Sequence, residues 1–318
     1  MQQKAFIGKI GKIINRSIAK KRVCGYPGCT KTTISSHLLQ KNKILNQITE
    51  SNHLYELYPS PLTGQMKFKL TGKNDAFTFY GYCKEHDDSI FSPIEKSDYD
   101  ISEYNVQLLF SLRSLLNELR KKEILIEGYE NVLKDSSISK FLDSKSLRLY
   151  ISQSKLSYND LYFYLSEAHK DISERTESFA FDVFIARKLP LCVSAIFHVA
   201  SSFDILINFI KPFKKENEVL PAVILNLFPR ESETVILVGY HKKYSKGIPR
   251  FIDSHIKKIP HDESLKSLSD LIISKIETWT CSPTFYRNNI SEREELIIKS
   301  ISTLDGSSEV PFNIFTSD

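Results

Sequence analysis

No apolar run in this 318-residue sequence approaches the roughly 20 residues that a membrane-spanning helix needs. The longest, residues 189–200 and 219–228, have the length of buried strands. No Gly-rich phosphate loop, no Gly-x-Ser-x-Gly elbow and no His-Glu-x-x-His pair is present, which removes the most readable nucleotide-hydrolase, serine-hydrolase and metalloprotease signatures. Cysteine is limited to five residues, an odd number, so a secreted disulfide framework is not expected. A secretory signal is not expected either, because no clean apolar stretch opens the chain. These absences point to a soluble, cytoplasmic protein in a reducing compartment.

Acidic residues are missing from the first 49 positions. Residues 1–50 hold ten Lys or Arg and one acid, Glu50, a net charge of +9 against +5 for the whole chain. A basic end on a mildly acidic body suggests a polyanionic partner, and nucleic acid is the expectation. Lys9, Lys12, Arg16, Lys20, Lys21 and Arg22 are the candidate contacts. Residues 4–21 also carry Phe6, Ile7, Ile10, Ile13, Ile14 and Ile18 at helical spacing. Import presequences and membrane-surface helices share that pattern. Here Arg is scarce, and a cysteine motif follows at Cys24 with no room for a processed linker. The expectation is a helix that packs its Ile face on the rest of the protein. Docking of its charge on the protein's own acids, on an acidic protein or on a second copy is the rival to nucleic acid.

Three of the cysteines lie near histidines. Cys24 and Cys29 flank Gly25-Tyr26-Pro27-Gly28, a turn able to wrap an ion, and Cys83 and His86 are two residues apart at a helix start. Zinc prefers four Cys or His ligands in a tetrahedron, drawn in pairs from short loops. A helix N-terminus favours the thiolate that zinc requires. Cys24, Cys29, Cys83 and His86 are therefore the expected ligands of one zinc ion. His37 is a competing fourth ligand or a neighbour of the ion. Asp87 and Asp88 either orient His86 or favour the first turn of its helix.

A ligand turn, β-like runs and a Cys-x2-His at a helix start resemble a treble-clef zinc finger. Over residues 23–90 the Ser36-His37 pair after the first cysteines partly resembles zinc-containing HNH endonucleases. That resemblance implies a metal-dependent nuclease with His37 as general base. The intervening Asn and the final metal-binding His of that family have no match here; Asn74 lies too far upstream of Cys83. The whole layout, including Ser-His-Leu-Leu-Gln-Lys-Asn, Tyr-Cys-Lys-Glu-His-Asp and Glu-Thr-Trp, resembles uncharacterised bacterial zinc-finger proteins. This implies a bacterial setting and a role in defence against foreign nucleic acid.

The pattern predicts an α+β fold. Residues 1–97 form a basic helix and a treble-clef-like finger, with a helix over 32–50 and β-like runs at 54–58, 66–70 and 76–82 punctuated by Pro59, Pro61 and Gly64. Residues 98–318 form a larger domain of helices and antiparallel sheet. It has a strong helix from Tyr104, strands at 178–186, 191–199, 219–228 and 233–241, a loop at 211–217, and closing helices at 264–279 and 290–302. Rings at Tyr55, Tyr58, Phe68, Phe77, Phe79, Tyr80 and Tyr82, mixed with Lys67, Lys69 and Lys73, form either a small core or a stacking surface for single strands. Cys192, Ser194 and His198 share a strand face and read as core rather than as a nucleophile and base.

Overall fold

The computed structural model describes residues 3–59, 66–96, 98–199, 219–302 and 310–316. The loop expected at 211–217, together with Pro61 and Gly64, lies outside the described residues. The fold is α+β: a seven-stranded antiparallel sheet, a second sheet of two short strands, and helices on both faces of the larger sheet.

The apolar runs become the centre of that sheet. β5 (Phe179–Arg187), β6 (Leu191–His198), β7 (Ala222–Arg230) and β8 (Glu233–His241) join β2 (His53–Pro59), β3 (Met66–Gly72) and β9 (Trp279–Cys281) in the order β3-β2-β9-β6-β7-β8-β5. β7 and β8 form a hairpin with Phe228 opposite Val235 and Arg230 opposite Glu233, closed by two residues of which Glu231 has φ 54°. Successive side chains point to opposite faces, which splits each strand between two cores. Cys192, Ile224, Phe228, Val235 and Leu237 face one core; Val193, Leu225, Leu227, Ile236 and Val238 face the other. Burial on both faces is why β6 and β7 read as continuous apolar runs instead of alternating ones.

On the first face lie α3 (Tyr104–Lys134) and α5 (Ser144–Glu174), joined through the short turn α4 (Ser136–Ser139). The first half of α3, Val106 to Asn117, is buried all round, between the sheet and its neighbouring helices. One buried polar group there is bonded across to the sheet: Ser194 Oγ lies 2.8 Å from Ser114 Oγ, which reaches Asn226 Oδ1 at 3.2 Å. On the second face pack α6 (Lys266–Lys275), α7 (Glu294–Ser302) and the turns between them, around Trp279 and Cys281.

The basic N-terminal helix forms as expected. α1 (Gln3–Ala19) packs on the second half of α3: Ile13 is buried with Val132 and Ile138, Phe6 and Ile10 pack against them, and Ile14 lies over Gly128.

Two expectations change. The helix expected over 32–50 is absent. Ser36 and His37 form strand β1 instead, opposite Phe79 and Thr78 of β4 (Thr78–Phe79). The apolar residues of that segment are buried as expected, Leu38, Leu39, Ile44, Leu45 and Ile48 all lying in the core. Four polar residues, Gln40 to Lys43, separate Leu39 from Ile44 and interrupt the helical stripe, and the Leu38 N–H bonds the Phe77 carbonyl at 2.9 Å rather than a preceding turn. The second change is β9, three residues too short to show a period, where the patterning predicts the end of a closing helix. It pairs with both β2 and β6, so the large sheet takes in strands from both sides of the boundary drawn at residue 97.

Candidate metal centre

The turn carrying Cys24 and Cys29 is shaped by its glycines. Gly28 holds a left-handed φ of 75°, a conformation that other residues rarely adopt. The Cys29 N–H bonds the Tyr26 carbonyl at 3.1 Å, and the Cys24 N–H bonds the Lys31 carbonyl at 2.8 Å. The Gly25 N–H bonds Gly81 at 3.0 Å and the Ile34 N–H bonds Tyr82 at 2.8 Å, which delivers the turn to the segment just before Cys83. Cys83 then caps α2 (Lys84–Glu95), so Cys83 and His86 occupy its first turn.

The four expected side chains come together. One donor atom from each of Cys24, Cys29, Cys83 and His86 lies within 4.8 Å of all the others. His86 Nδ1 is 3.3 Å from Cys83 Sγ and 3.5 Å from Cys24 Sγ, and the Cys29 and Cys83 sulfurs are 3.9 Å apart. A tetrahedral ion with metal–sulfur bonds of about 2.3 Å and metal–nitrogen bonds of about 2.0 Å sets edges of roughly 3.5–3.8 Å, so the cluster has the size of a metal site. The Cys83 N–H donates to Cys24 Sγ at 3.2 Å, support of the kind a thiolate accepts. The thiols differ in their surroundings. The backbone N–H of His86 holds Cys83 below its ordinary pKa against the cost of burial. Burial pushes Cys24 up to about 11. A metal ion must therefore displace the Cys24 proton, which makes occupancy pH-dependent.

Around the donors, Tyr26 stacks on the His86 ring, with centroids 4.0 Å apart and planes at 17°. The buried Tyr82 hydroxyl shares a hydrogen bond with His169 Nε2 from α5. Sequence reading missed these three residues as part of the site. Tyr26 lies inside the ligand turn and was within reach; His169 enters from a distant helix and carries no local signal. Asp87 and Asp88 do not touch His86 among the described contacts. Asp87 accepts a hydrogen bond from Ser36 at 2.6 Å, tying α2 to β1, and Asp88 pairs with Lys84 at 2.6 Å.

His37 stands outside the donor cluster. It is half-buried on β1, with Nε2 3.1 Å from the Lys73 carbonyl, and burial holds its imidazole below the ordinary value. Among the described residues no second group of three His, Cys, Asp or Glu is placed to hold a metal.

The six cations of the N-terminal segment divide in two. Lys9 pairs with Asp135 at 3.0 Å, Lys20 with Glu127 at 2.9 Å, and buried Arg22 with Glu127 and Glu123. Lys12, Arg16 and Lys21 are exposed and in no ion pair among the described residues.

Most of the rings singled out above are interior. Phe68, Phe77, Phe79 and Tyr82 are buried, Tyr55 stacks on Tyr286, and Tyr80 is exposed. Cys192 is buried in the sheet, Ser194 is bonded to Ser114, and His198 Nδ1 lies 3.0 Å from the Pro221 carbonyl, an arrangement of core packing.

No helix among the described residues is long and apolar enough to cross a membrane. No protein-family model, curated protein or solved structure matches the chain.

Proposed function

We propose that Cys24, Cys29, Cys83 and His86 hold one structural zinc ion, and that the region it organises binds nucleic acid through Lys12, Arg16 and Lys21. The observation that carries the metal reading is the convergence of three sulfurs and one imidazole nitrogen within 4.8 Å. Three thiols and an imidazole form a soft, closed donor set suited to zinc, and four protein ligands leave no position for substrate. The treble-clef resemblance fits the order of parts: ligand turn, short strand pair, then a helix whose first turn carries the second ligand pair.

Support for a nucleic-acid partner is the exposed, unpaired charge of Lys12 and Arg16, one helical turn apart on α1, with Lys21 just beyond it. Half of the original set is committed to Asp135, Glu123 and Glu127. Three phosphate contacts give a log–log salt slope of about −2 to −3. The test is a titration of the intact protein against DNA and RNA oligonucleotides at several salt concentrations, repeated with Lys12, Arg16 and Lys21 neutralised. Failure of the wild type to bind any oligonucleotide at low salt overturns the reading in favour of a protein partner.

A second reading, a divergent HNH-like nuclease, draws on His37. Its bond to the Lys73 carbonyl makes Nε2 the protonated nitrogen and leaves the Nδ1 lone pair available as a base. Loss of divalent-metal-dependent phosphodiester cleavage in His37→Ala, with zinc content unchanged, supports it. Absence of cleavage in the wild type with any common divalent metal removes it.

A further inference from the structure

Between the turn after β1 and the β2–β3 hairpin lies an open cavity of about 430 Å³, away from the cysteine cluster in sequence and donor chemistry. Its lining includes Lys41, Lys73, His53 and one acid, Asp75. Lys41 and Lys73 are half-buried, and among the described residues neither is in an ion pair. Each ammonium instead donates to a neutral amide oxygen: Lys41 Nζ to Asn74 Oδ1 at 3.2 Å and Lys73 Nζ to Asn46 Oδ1 at 2.8 Å. An amide oxygen satisfies one donor and leaves the charge uncompensated, while an ammonium has three donors. Both lysines line the same cavity and neither is neutralised by an ion pair among the described residues, so an anion there is attracted by both charges.

The backbone fixes this arrangement. Ser51 and Asn52 hold φ of 48° and 59° in a tight turn, with Glu50 and His53 exchanging backbone bonds of 2.9 and 3.2 Å. The Lys73 N–H bonds the Asn52 carbonyl at 2.7 Å, so the two sides of the cavity are joined. The Lys73 carbonyl is held in turn by His37 Nε2. Asn42 and Asn52 also line the space, beside the Asn74 amide that Lys41 engages. A carboxamide presents a donor and an acceptor side by side, the pattern that reads a nucleobase edge. The volume falls within the range of small-molecule sites and exceeds what a bare phosphate requires.

We propose that this cavity binds a nucleotide, with its phosphate between Lys41 and Lys73 and its base against the asparagine amides. The source is a free nucleoside monophosphate or the phosphorylated end of a strand. The site is independent of α1, so it stands even if Lys12, Arg16 and Lys21 bind nothing.

The test is calorimetric titration of the full chain at low salt with nucleoside 5′-monophosphates, the matching nucleosides, and a short oligonucleotide with and without a 5′-phosphate. The expected result is binding of a monophosphate and not of its nucleoside. Lys41→Ala with Lys73→Ala should weaken it about tenfold or more, the loss of charge-assisted contacts. Lys12→Ala with Arg16→Ala should leave it unchanged. Asp75→Asn should tighten it by removing the one acid, a gain that misfolding does not produce. Preference for the phosphorylated oligonucleotide over its unphosphorylated twin identifies a strand end; binding of monophosphates alone identifies the free nucleotide. No binding of any phosphate probe at millimolar concentration, equal binding of the nucleoside, or full affinity in the double lysine variant overturns the proposal.

Discussion

The cysteine cluster and the large sheet hold their shapes by different means. β7 and β8 are nine residues each, run side by side in register from Val223 to Arg230, and bury apolar side chains on both faces. β1 and β4 are two residues each, a ladder too short to persist alone. What fixes the short pair is the set of donors beside it: a turn bonded to Gly81 and Tyr82, and three sulfurs and a nitrogen gathered at the start of α2. Cooperative burial on both faces supports the sheet; around the cluster a few directional bonds add to apolar residues, Leu38, Phe77, Phe79 and Tyr82 among them, that share a core with the sheet's first face. The two regions should therefore fail for different reasons, although β2, β3 and a common core join them.

The largest effect should come from the donors. With zinc bound as proposed, Cys83→Ser removes a ligand from a site contributing on the order of 10 kcal/mol to local folding. The expected outcome is loss of the metal, measured by elemental analysis under reducing, chelator-free conditions, and rapid proteolysis within residues 23–36 and 78–96. The signal of β5 to β8 should survive, because those strands lie outside residues 24–86, whereas β2 and β3 lie between the two ligand pairs. Less than about half an equivalent of zinc in the wild type would remove the metal from the comparison altogether.

Next in size is the sheet's own core. Leu237 is fully buried under α3 and α5. Leu237→Ala should cost about 2–5 kcal/mol by denaturant unfolding, with zinc content unchanged. Loss of zinc in this variant would show the two regions to be one cooperative unit.

A smaller effect is expected where α1 meets α3. Glu127 accepts from Lys20 and from buried Arg22; burial alone would raise its carboxyl, but the two cations hold it below the ordinary range. A carboxyl lowered in the folded state stabilises above its unfolded pKa of about 4.3, and that contribution is lost as pH falls through the folded value. Glu127→Gln should cost about 1–3 kcal/mol at neutral pH by leaving Arg22 without its main carboxylate. It should also flatten the acid limb of the stability profile below about pH 4.3. A variant with the same acid limb as the wild type would show that Arg22 is satisfied elsewhere.

The smallest stability effect, within about 0.5 kcal/mol, is expected for neutralising the exposed Lys12, Arg16 and Lys21. Here the informative readout is the salt slope of oligonucleotide binding, which should fall toward zero while the melting temperature stays put.

Much of this was legible in the chain. The four donors were named from spacing alone, because a Gly- and Pro-bearing turn and a helix start each place two ligands within reach of one ion. The long strands were legible because eight or nine residues of apolar-rich sequence bounded by turn residues have the length of a buried strand, and α3 because 31 residues of consistent patterning outweigh local ambiguity. The segment after Cys29 was not: the apolar residues from Leu38 to Ile48 were recognised as buried, but burial is compatible with more than one backbone path. Only the hydrogen bonds to Phe77, Phe79 and Tyr82, some 40 residues away in sequence, select the strand over the helix. β9 and the insertion of β2 and β3 into the large sheet escaped for the same reason, since pairing partners far along the chain leave no periodic trace.

Sequence by itself determined which residues are interior, where the charge lies and which side chains are able to ligate a metal, because polarity, charge and donor chemistry are properties of single residues and short spacings. Tertiary structure alone decided that Lys9, Lys20 and Arg22 are paired while Lys12, Arg16 and Lys21 are exposed. It also decided that His37 holds the wall of a cationic cavity, and that Tyr26 and His169 surround the ligands. Those outcomes depend on which distant carboxylate, carbonyl or ring arrives within a few ångströms, a distance that packing sets and composition does not.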